Sequence, residues 1–298
     1  MAIIMFLVKM KVKKPAVVYM LNLAAADALL VCVLPFQIVY RFLGSNWLIG
    51  EGMCRFVTAA YYCNMYCSVL FLTSISVDRF LAVVYPLRSL YWRTVTRAWL
   101  VCGVIWVISF ASTVPLLIIK QTMVFPMLDN TMCHDIQHFG VHFFFSFYYF
   151  TTVFSLFIFF PLVISTLCYI GTIRSLSRSK FDQAHKRSRA ICLTVIVLCV
   201  FVLCFSPTHI IYLIHYMHVD NYDFSLYIAY ILSSSISSIN CCLDPLIYYF
   251  ASSQSQRYIY SLLWCKKDYR PPVKQKRTPV NKEQSSERTQ PSQHTKSG

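Results

Sequence analysis

The stretch Ser74-Ile75-Ser76-Val77-Asp78-Arg79-Phe80-Leu81-Ala82-Val83-Val84-Tyr85-Pro86-Leu87 closes a long apolar run that begins near Phe56. It sets an acid and a base, Asp78 and Arg79, side by side at the mouth of a greasy helix. Charges there are expensive in a bilayer and are usually retained for function. The pair therefore reads as a switch at a membrane surface. The rest of the chain decides which surface.

Apolar runs of spanning length recur on both sides of it. Of the 298 residues, 57% are hydrophobic and only 13% are charged. A soluble domain of this size needs more surface charge than that. Complete spans read as 15–42, 54–84, 97–119, 146–173, 189–216 and 225–250, each reaching the roughly 20 residues that cross a bilayer. Met1–Val8 is apolar but short. It reads as the second half of one more helix whose start precedes Met1, and no basic n-region or cleavage site makes it a signal peptide. The expected fold is all-α: a seven-transmembrane helix bundle with a partial first helix.

Charge placement orients the bundle. Of the 27 Lys and Arg, only Arg41, Arg55 and Lys120 fall on one side, together with Glu51, Asp129, Asp135, Asp220 and Asp223. The others occupy Lys9–Lys14, Arg79–Arg97, Arg174–Arg189 and the tail from Arg257. Cytoplasmic loops carry the Lys/Arg excess, so Asp78-Arg79 and the tail face inward. The same asymmetry explains the net charge of +15 without a polyanionic partner. The chain has no nucleic-acid motif and its aromatics lie inside the spans, so nucleic acid is excluded as a partner.

Beyond the last span, Tyr258, Ile259, Leu262 and Leu263 share one face of 251–265, which suits a short helix on the membrane surface. Cys265 beside Lys266 and Lys267 suits palmitoylation, or is a plain buried cysteine. Residues 266–298, rich in Lys, Gln, Ser, Thr and Pro, read as a disordered cytoplasmic tail. The division is thus a membrane domain over 1–265 and a tail over 266–298.

Most of the 13 cysteines lie in spans and serve as small hydrophobes. Cys54 and Cys133 face the outer, oxidising side, where a bridge between them is the natural pairing. Several polar residues occupy the spans at depth, among them Asp27, Ser68, Asn240 and Asp244. They read either as hydrogen-bonded structural groups or as oxygen ligands for a hard cation such as sodium. Pro35, Pro115, Pro161, Pro207 and Pro245 each remove a helical hydrogen bond and mark kinks. Phe205 sits two residues before one of them and Tyr248 three after another. No phosphate loop, H-E-x-x-H or G-x-S-x-G is present, and no nucleophile–base pair stands out, so the chain does not read as an enzyme.

Taken in order, these elements resemble the rhodopsin-like (class A) G-protein-coupled receptors: Asn22 and Asp27; Cys54 with Cys133; Asp78-Arg79-Phe80; Trp106; Pro161 and Tyr169; Pro207; Asp244-Pro245-Leu246-Ile247-Tyr248. The resemblance covers about residues 1–265. Lys11–Leu21, Cys54–Ala60, Asp78–Pro86, Cys133-His134-Asp135 and Asp244–Ser253, with Phe205 before the proline, are similar to the protease-activated (thrombin-type) receptors. That resemblance implies a plasma-membrane receptor in which a serine protease trims the outer N-terminus and the new end acts as a tethered peptide agonist. It implies ligand contacts at His134, Asp135, His215, Tyr216, Tyr227 and Tyr230, with Tyr62 below. The tyrosines also read as membrane-interface anchors. Inside, a heterotrimeric G protein is the expected partner of Asp78, Arg79, Tyr169 and Tyr248, with Phe205, Pro207 and Pro245 as toggle and hinges. Arg79 is expected to rest against Asp78 and leave it on activation, while the basic loop 174–189 faces the G protein or anionic lipid. No cofactor is expected beyond the sodium ion. A chain starting at Met1 is expected to lack the cleavage site and tethered segment, so that its agonist is a peptide supplied in trans. The alternatives are a class A receptor for another ligand, a truncated receptor that does not signal, and an ion-conducting transporter using Asp27 and Asp244.

Overall fold

Pro15 opens the first described helix, α1 (Pro15–Phe42), at a position where a missing N–H costs nothing. The computed structural model describes residues 14–125, 130–134, 143–178, 184–217 and 224–244. After α1 the chain turns through Gly44 and Ser45, both at positive φ, and Gly50 leads into α2 (Glu51–Val84). At 34 residues α2 is about 50 Å long, against a hydrocarbon core of about 30 Å. Its two ends therefore stand in the interfaces, with Cys54 at the outer one and Asp78 at the inner one.

A seven-residue helix, α3 (Pro86–Trp92), follows at the inner side. Thr94 then caps α4 (Val95–Ile118), its side chain accepting from the Arg97 amide at 3.3 Å. The outer loop folds into a hairpin of β1 (Thr122–Phe125) and β2 (Asn130–Cys133), antiparallel with Thr122 opposite Cys133. Nothing in the periodicity of 120–134 announces it.

The next two spans carry matching irregularities. α5 (Phe143–Phe154) passes through a π-helical turn over Ser155–Phe159 into α6 (Phe160–Arg178). α7 (Ala184–Cys199) passes through another over Val200–Phe205 into α8 (Ser206–Met217). In each case the wide turn lies just ahead of a proline, Pro161 or Pro207. Proline clashes with the carbonyl four residues back and leaves it unbonded, and a π turn accommodates that locally. The expected kinks at these two prolines thus take the form of π turns. Pro35 and Pro115 lie inside α1 and α4.

α9 (Phe224–Ser238) begins the last span. Residue 239 is a turn, after which 240–244 is helical again. The serines ahead of it bond their own helix: Ser233 to Tyr230 O, Ser235 to Ile231 O and Ser238 to Ser234 O. Such back-bonding bends helices.

α2 is the centre of the bundle, packed on α1, α4 and α6. Phe71, Leu72 and Ile75 are fully buried, while Leu100 and Leu203 are 68% and 59% exposed. Polar Ser68, Asn240 and Asp244 are at 0%. Apolar outside and polar inside is the pattern of a bundle in lipid. Helices long and apolar enough to cross a membrane occupy Pro15–Phe42, Glu51–Val84, Val95–Ile118, Phe147–Arg178 and Ile191–Ile211. Each matches an expected span, and 224–244 begins the last. Met1–Val8, the surface helix 251–265, Cys265 and the tail 266–298 lie outside the described residues, as do Pro245 and Tyr248.

Candidate functional site

At the outer end, Cys54 and Cys133 are bridged, with Cα atoms 5.7 Å apart, which fastens β2 to the top of α2. Glu51, three residues earlier, fastens β1. Its carboxylate accepts from the amides of Gln121 at 2.8 Å and Thr122 at 3.0 Å, from the Thr122 hydroxyl, and from Arg55 Nε at 2.6 Å. Trp47 donates its amide to Thr131 O at 2.7 Å, and the Tyr40 hydroxyl accepts from the Cys133 amide at 3.2 Å. The hairpin is thus held from both strands.

This scaffold delivers His134 to the bundle mouth. His134 has φ +54°, a conformation seldom used outside turns and functional sites. Its Nδ1 lies 2.6 Å from Gln121 Oε1 and its Nε2 3.1 Å from the Tyr62 hydroxyl. Gln121 spends both amide hydrogens on the carbonyls of Leu116 and Ile119, so Oε1 is the face it offers. Nδ1–H then donates to Gln121, and Nε2 accepts from Tyr62: a neutral imidazole with both nitrogens satisfied. Burial pushes His134 down to about 3. The Tyr230 hydroxyl donates to His134 O at 3.4 Å.

Beside these residues opens a cavity of about 450 Å³. Tyr62, His134 and Tyr230 line it, together with Thr58, Tyr61 and Ser234. Three of the expected ligand residues are therefore brought together. His215 and Tyr216 lie on α8 and Tyr227 on α9, placed by backbone only, and Asp135 lies outside the described residues. From α1 come Gln37, Ile38, Arg41 and Phe42, which no motif singles out. Below Tyr62, His209 of α8 is buried against the rings of Tyr62, Tyr66 and Phe154. Its only sequence signal is its place two residues after Pro207.

Midway down, Trp106 Nε1 donates to Asn22 Oδ1 at 3.1 Å, joining two of the dispersed elements. Asp27 and Asp244 interact with one another. Ser68 Oγ and both side-chain polar atoms of Asn240, beside that carboxyl pair, are buried without a protein hydrogen-bond partner. Such groups in a protein interior call for a bound water or ion. This oxygen-rich set fits a hard monovalent cation. Phe205 is fully buried, edge-on to Phe201.

At the inner end, the Tyr169 hydroxyl of α6 lies 2.8 Å from Ser76 Oγ of α2, and Arg79 is close enough to Tyr169 to act on it electrostatically. Phe80 packs so closely on Gly171 that a Cβ there would come 2.5 Å from its ring. Asp78 departs from expectation. Its carboxylate takes two parallel hydrogen bonds from Arg93, Nε to Oδ1 at 2.7 Å and Nη2 to Oδ2 at 2.8 Å. The expected resting contact with Arg79 is therefore corrected: Asp78 is paired with Arg93. Residues one apart on a helix point about 100° from each other, which sends Asp78 and Arg79 to different neighbours. The Asp78 carboxylate holds the Arg93 guanidinium further above its already high range.

A lipid-facing bundle with a pocket outside and a charged pair inside is the architecture of a multi-pass membrane receptor. The chain belongs to the 7 transmembrane receptor (rhodopsin family), whose family model matches residues 1–248. It is 59% identical to proteinase-activated receptor 1 of Xenopus laevis over 90% of its own length, and 52% identical to proteinase-activated receptor 1 of Homo sapiens over 91%. To proteinase-activated receptor 2 of Homo sapiens it is 36% identical over 89%. The chain spans 63% and 64% of the length of the first two relatives. It is a multi-pass plasma-membrane protein of a receptor family, not an enzyme.

Proposed function

We propose that this chain is the transmembrane part of a proteinase-activated type of receptor, which converts peptide binding at its outer face into activation of a heterotrimeric G protein inside. The observation that carries the reading is the layout of α2. One helix bears Tyr62, which lines the outer cavity, and, four turns below, Ser76, Asp78 and Arg79. His134 and Tyr230 supply polar contacts for a peptide, and aromatic walls offer large contact area at low entropic cost. Asp135, His215, Tyr216 and Tyr227 extend the proposed pocket. Arg79, with Tyr169 and Tyr248, forms the proposed contact for the G protein, and Phe205, Pro207 and Pro245 the moving joint between the two ends. The activating agent is a serine protease, and the peptide is the end it exposes.

Asp27, Ser68, Asn240 and Asp244 would hold a sodium ion, which would supply the positive charge that two neighbouring carboxyls need. Residues 1–265 are the receptor domain in this reading, with 251–265 on the membrane surface, Cys265 as its lipidation site and 266–298 as the cytoplasmic tail.

The test is guanine-nucleotide exchange on added heterotrimeric G proteins by membranes containing the chain, challenged with short peptides bearing a free amino terminus. Peptide-evoked exchange is expected, and Arg79→Ala is expected to cut it by more than tenfold at equal surface expression, a loss of about 1.4 kcal/mol or more. Unchanged exchange in Arg79→Ala removes Arg79 from the switch. Ion flux through the chain in liposomes, with no exchange, would instead favour a transporter.

A further inference from the structure

The inner loop supplies Asp78 with a partner, Arg93, that the proposed switch does not use. Arg93 lies at the C-terminal end of α3, where its amide donates to Ser89 O at 2.8 Å. Ser89 is itself buried and donates to Pro86 O. Arg93 is thus part of a stiff turn, and its guanidinium meets both oxygens of Asp78, which is only 5% exposed. Tyr19 of α1 borders the same pair and interacts with both charges. Three segments, α1, the end of α2 and α3, therefore converge on one carboxylate. Meanwhile α3 turns Leu87, Leu90, Tyr91 and Trp92 outward, all at least 65% exposed.

We propose that Arg93 is a positioning residue for signalling: it fixes α3 to Asp78 and restrains the inner end of the bundle until a G protein arrives. The inference rests on the receptor reading above. Its physical basis is the fork geometry. Arg–carboxylate pairs with two parallel bonds are among the most directional contacts a protein makes, and this one is largely out of water. Asp78 is committed to Arg93, which leaves Arg79 on the α6 side, near Tyr169. Movement of α3 therefore pulls on Asp78 directly. Losing the fork frees both the loop and the helix turn that carries Arg79.

The experiment measures guanine-nucleotide exchange on a panel of purified heterotrimeric G proteins, without peptide, by the full chain in vesicles. Arg93→Ala, Arg93→Lys, Asp78→Asn and the double variant Asp78→Asn/Arg93→Ala are compared at equal receptor amount. Arg93→Ala and Asp78→Asn are each expected to raise peptide-free exchange by roughly threefold to tenfold, and the double variant no further than either alone. Arg93→Lys keeps the charge but loses the fork, so it is expected to fall between wild type and Arg93→Ala. It also carries the test if Arg93→Ala does not reach the membrane. In parallel, hydrogen exchange of segment 86–94 is expected to quicken in Arg93→Ala. If Asp78→Asn raises exchange while neither Arg93 variant differs from wild type, Arg93 is a loop residue only and the proposal falls. Silence from every variant without peptide overturns the proposal where added peptide still evokes exchange; silence with peptide as well sinks the receptor reading, and this one with it.

Discussion

His134 shows what one side chain contributes when its surroundings fix its protonation. Docked, it is neutral, with Nδ1 donating and Nε2 accepting, and burial pushes it from its ordinary 6.5 down to about 3. Freed into water when the hairpin end peels away, it would protonate near its ordinary value. The detached state then binds more protons than the docked state between about pH 6.5 and 3. Docking therefore weakens as pH falls through that window, by about 1.4 kcal/mol per unit from this residue alone. Above pH 6.5 the contribution is complete and constant. The expected result is that hydrogen exchange of segment 121–134 quickens from pH 7.5 to pH 5, after correction for intrinsic rates. In His134→Gln the dependence should flatten, because the amide keeps a donor and an acceptor but does not titrate. An equal pH slope in both proteins would show that other groups set it. Sequence could single out His134 only by resemblance; its tautomer depends on Gln121, thirteen residues away, which no motif marks.

Among elements, the hairpin is the clearest case of structure built on a few contacts. Two four-residue strands are marginal alone in water, so the hairpin depends on what it is tied to. The bridge to Cys54 ties β2, and Glu51 ties β1 and the residue before it through three donors. Glu51 also sits in the first turn of α2, where an acid favours the helix dipole. Glu51→Ala removes the anchor and strands two amides. About 1–3 kcal/mol of docking energy is expected to be lost, read as quickened amide exchange at Gln121 and Thr122, with the 130–133 strand still fastened by its disulfide. Protection unchanged at both amides would mean that the bridge alone holds the hairpin. The sequence shows Cys54 and Cys133 plainly, because two cysteines on an oxidising face have little else to do. Glu51 registers only as one acid among outer charges. The spans were legible because lipid imposes a length and an apolar face on every helix. The π turns were legible only as prolines, since proline predicts a broken ladder but not how the chain repairs it. Arg93 was hidden altogether: a basic residue in a cytoplasmic loop is already explained by topology, so its pairing with Asp78 leaves no further trace.

At the scale of the whole molecule, everything functional depends on which way the bundle faces. Inside-out, the cavity framed by Tyr62, His134 and Tyr230 would open to the cytoplasm and the Asp78–Arg93 pair to the exterior. Two independent features fix the direction. The Lys/Arg excess sits on the Asp78 side, and the disulfide sits on the His134 side, as an oxidising compartment requires. The chain contains no Asn-x-Ser/Thr, so an engineered glycan reports topology on a clean background. A flexible linker carrying Asn-Gly-Thr, inserted after Asp129, falls between β1 and β2, where a hairpin loop tolerates added length. The same linker after Lys180 falls between α6 and α7, among Arg174, Arg178, Lys186, Arg187 and Arg189. Expressed in cells that glycosylate in the secretory lumen, the first insertion should gain an enzyme-removable glycan and the second none. The reverse pattern would place the cavity inside and overturn the receptor reading from its base. Glycans at both sites would mean that the one span between 143 and 178 fails to cross, and the bundle would need a different topology.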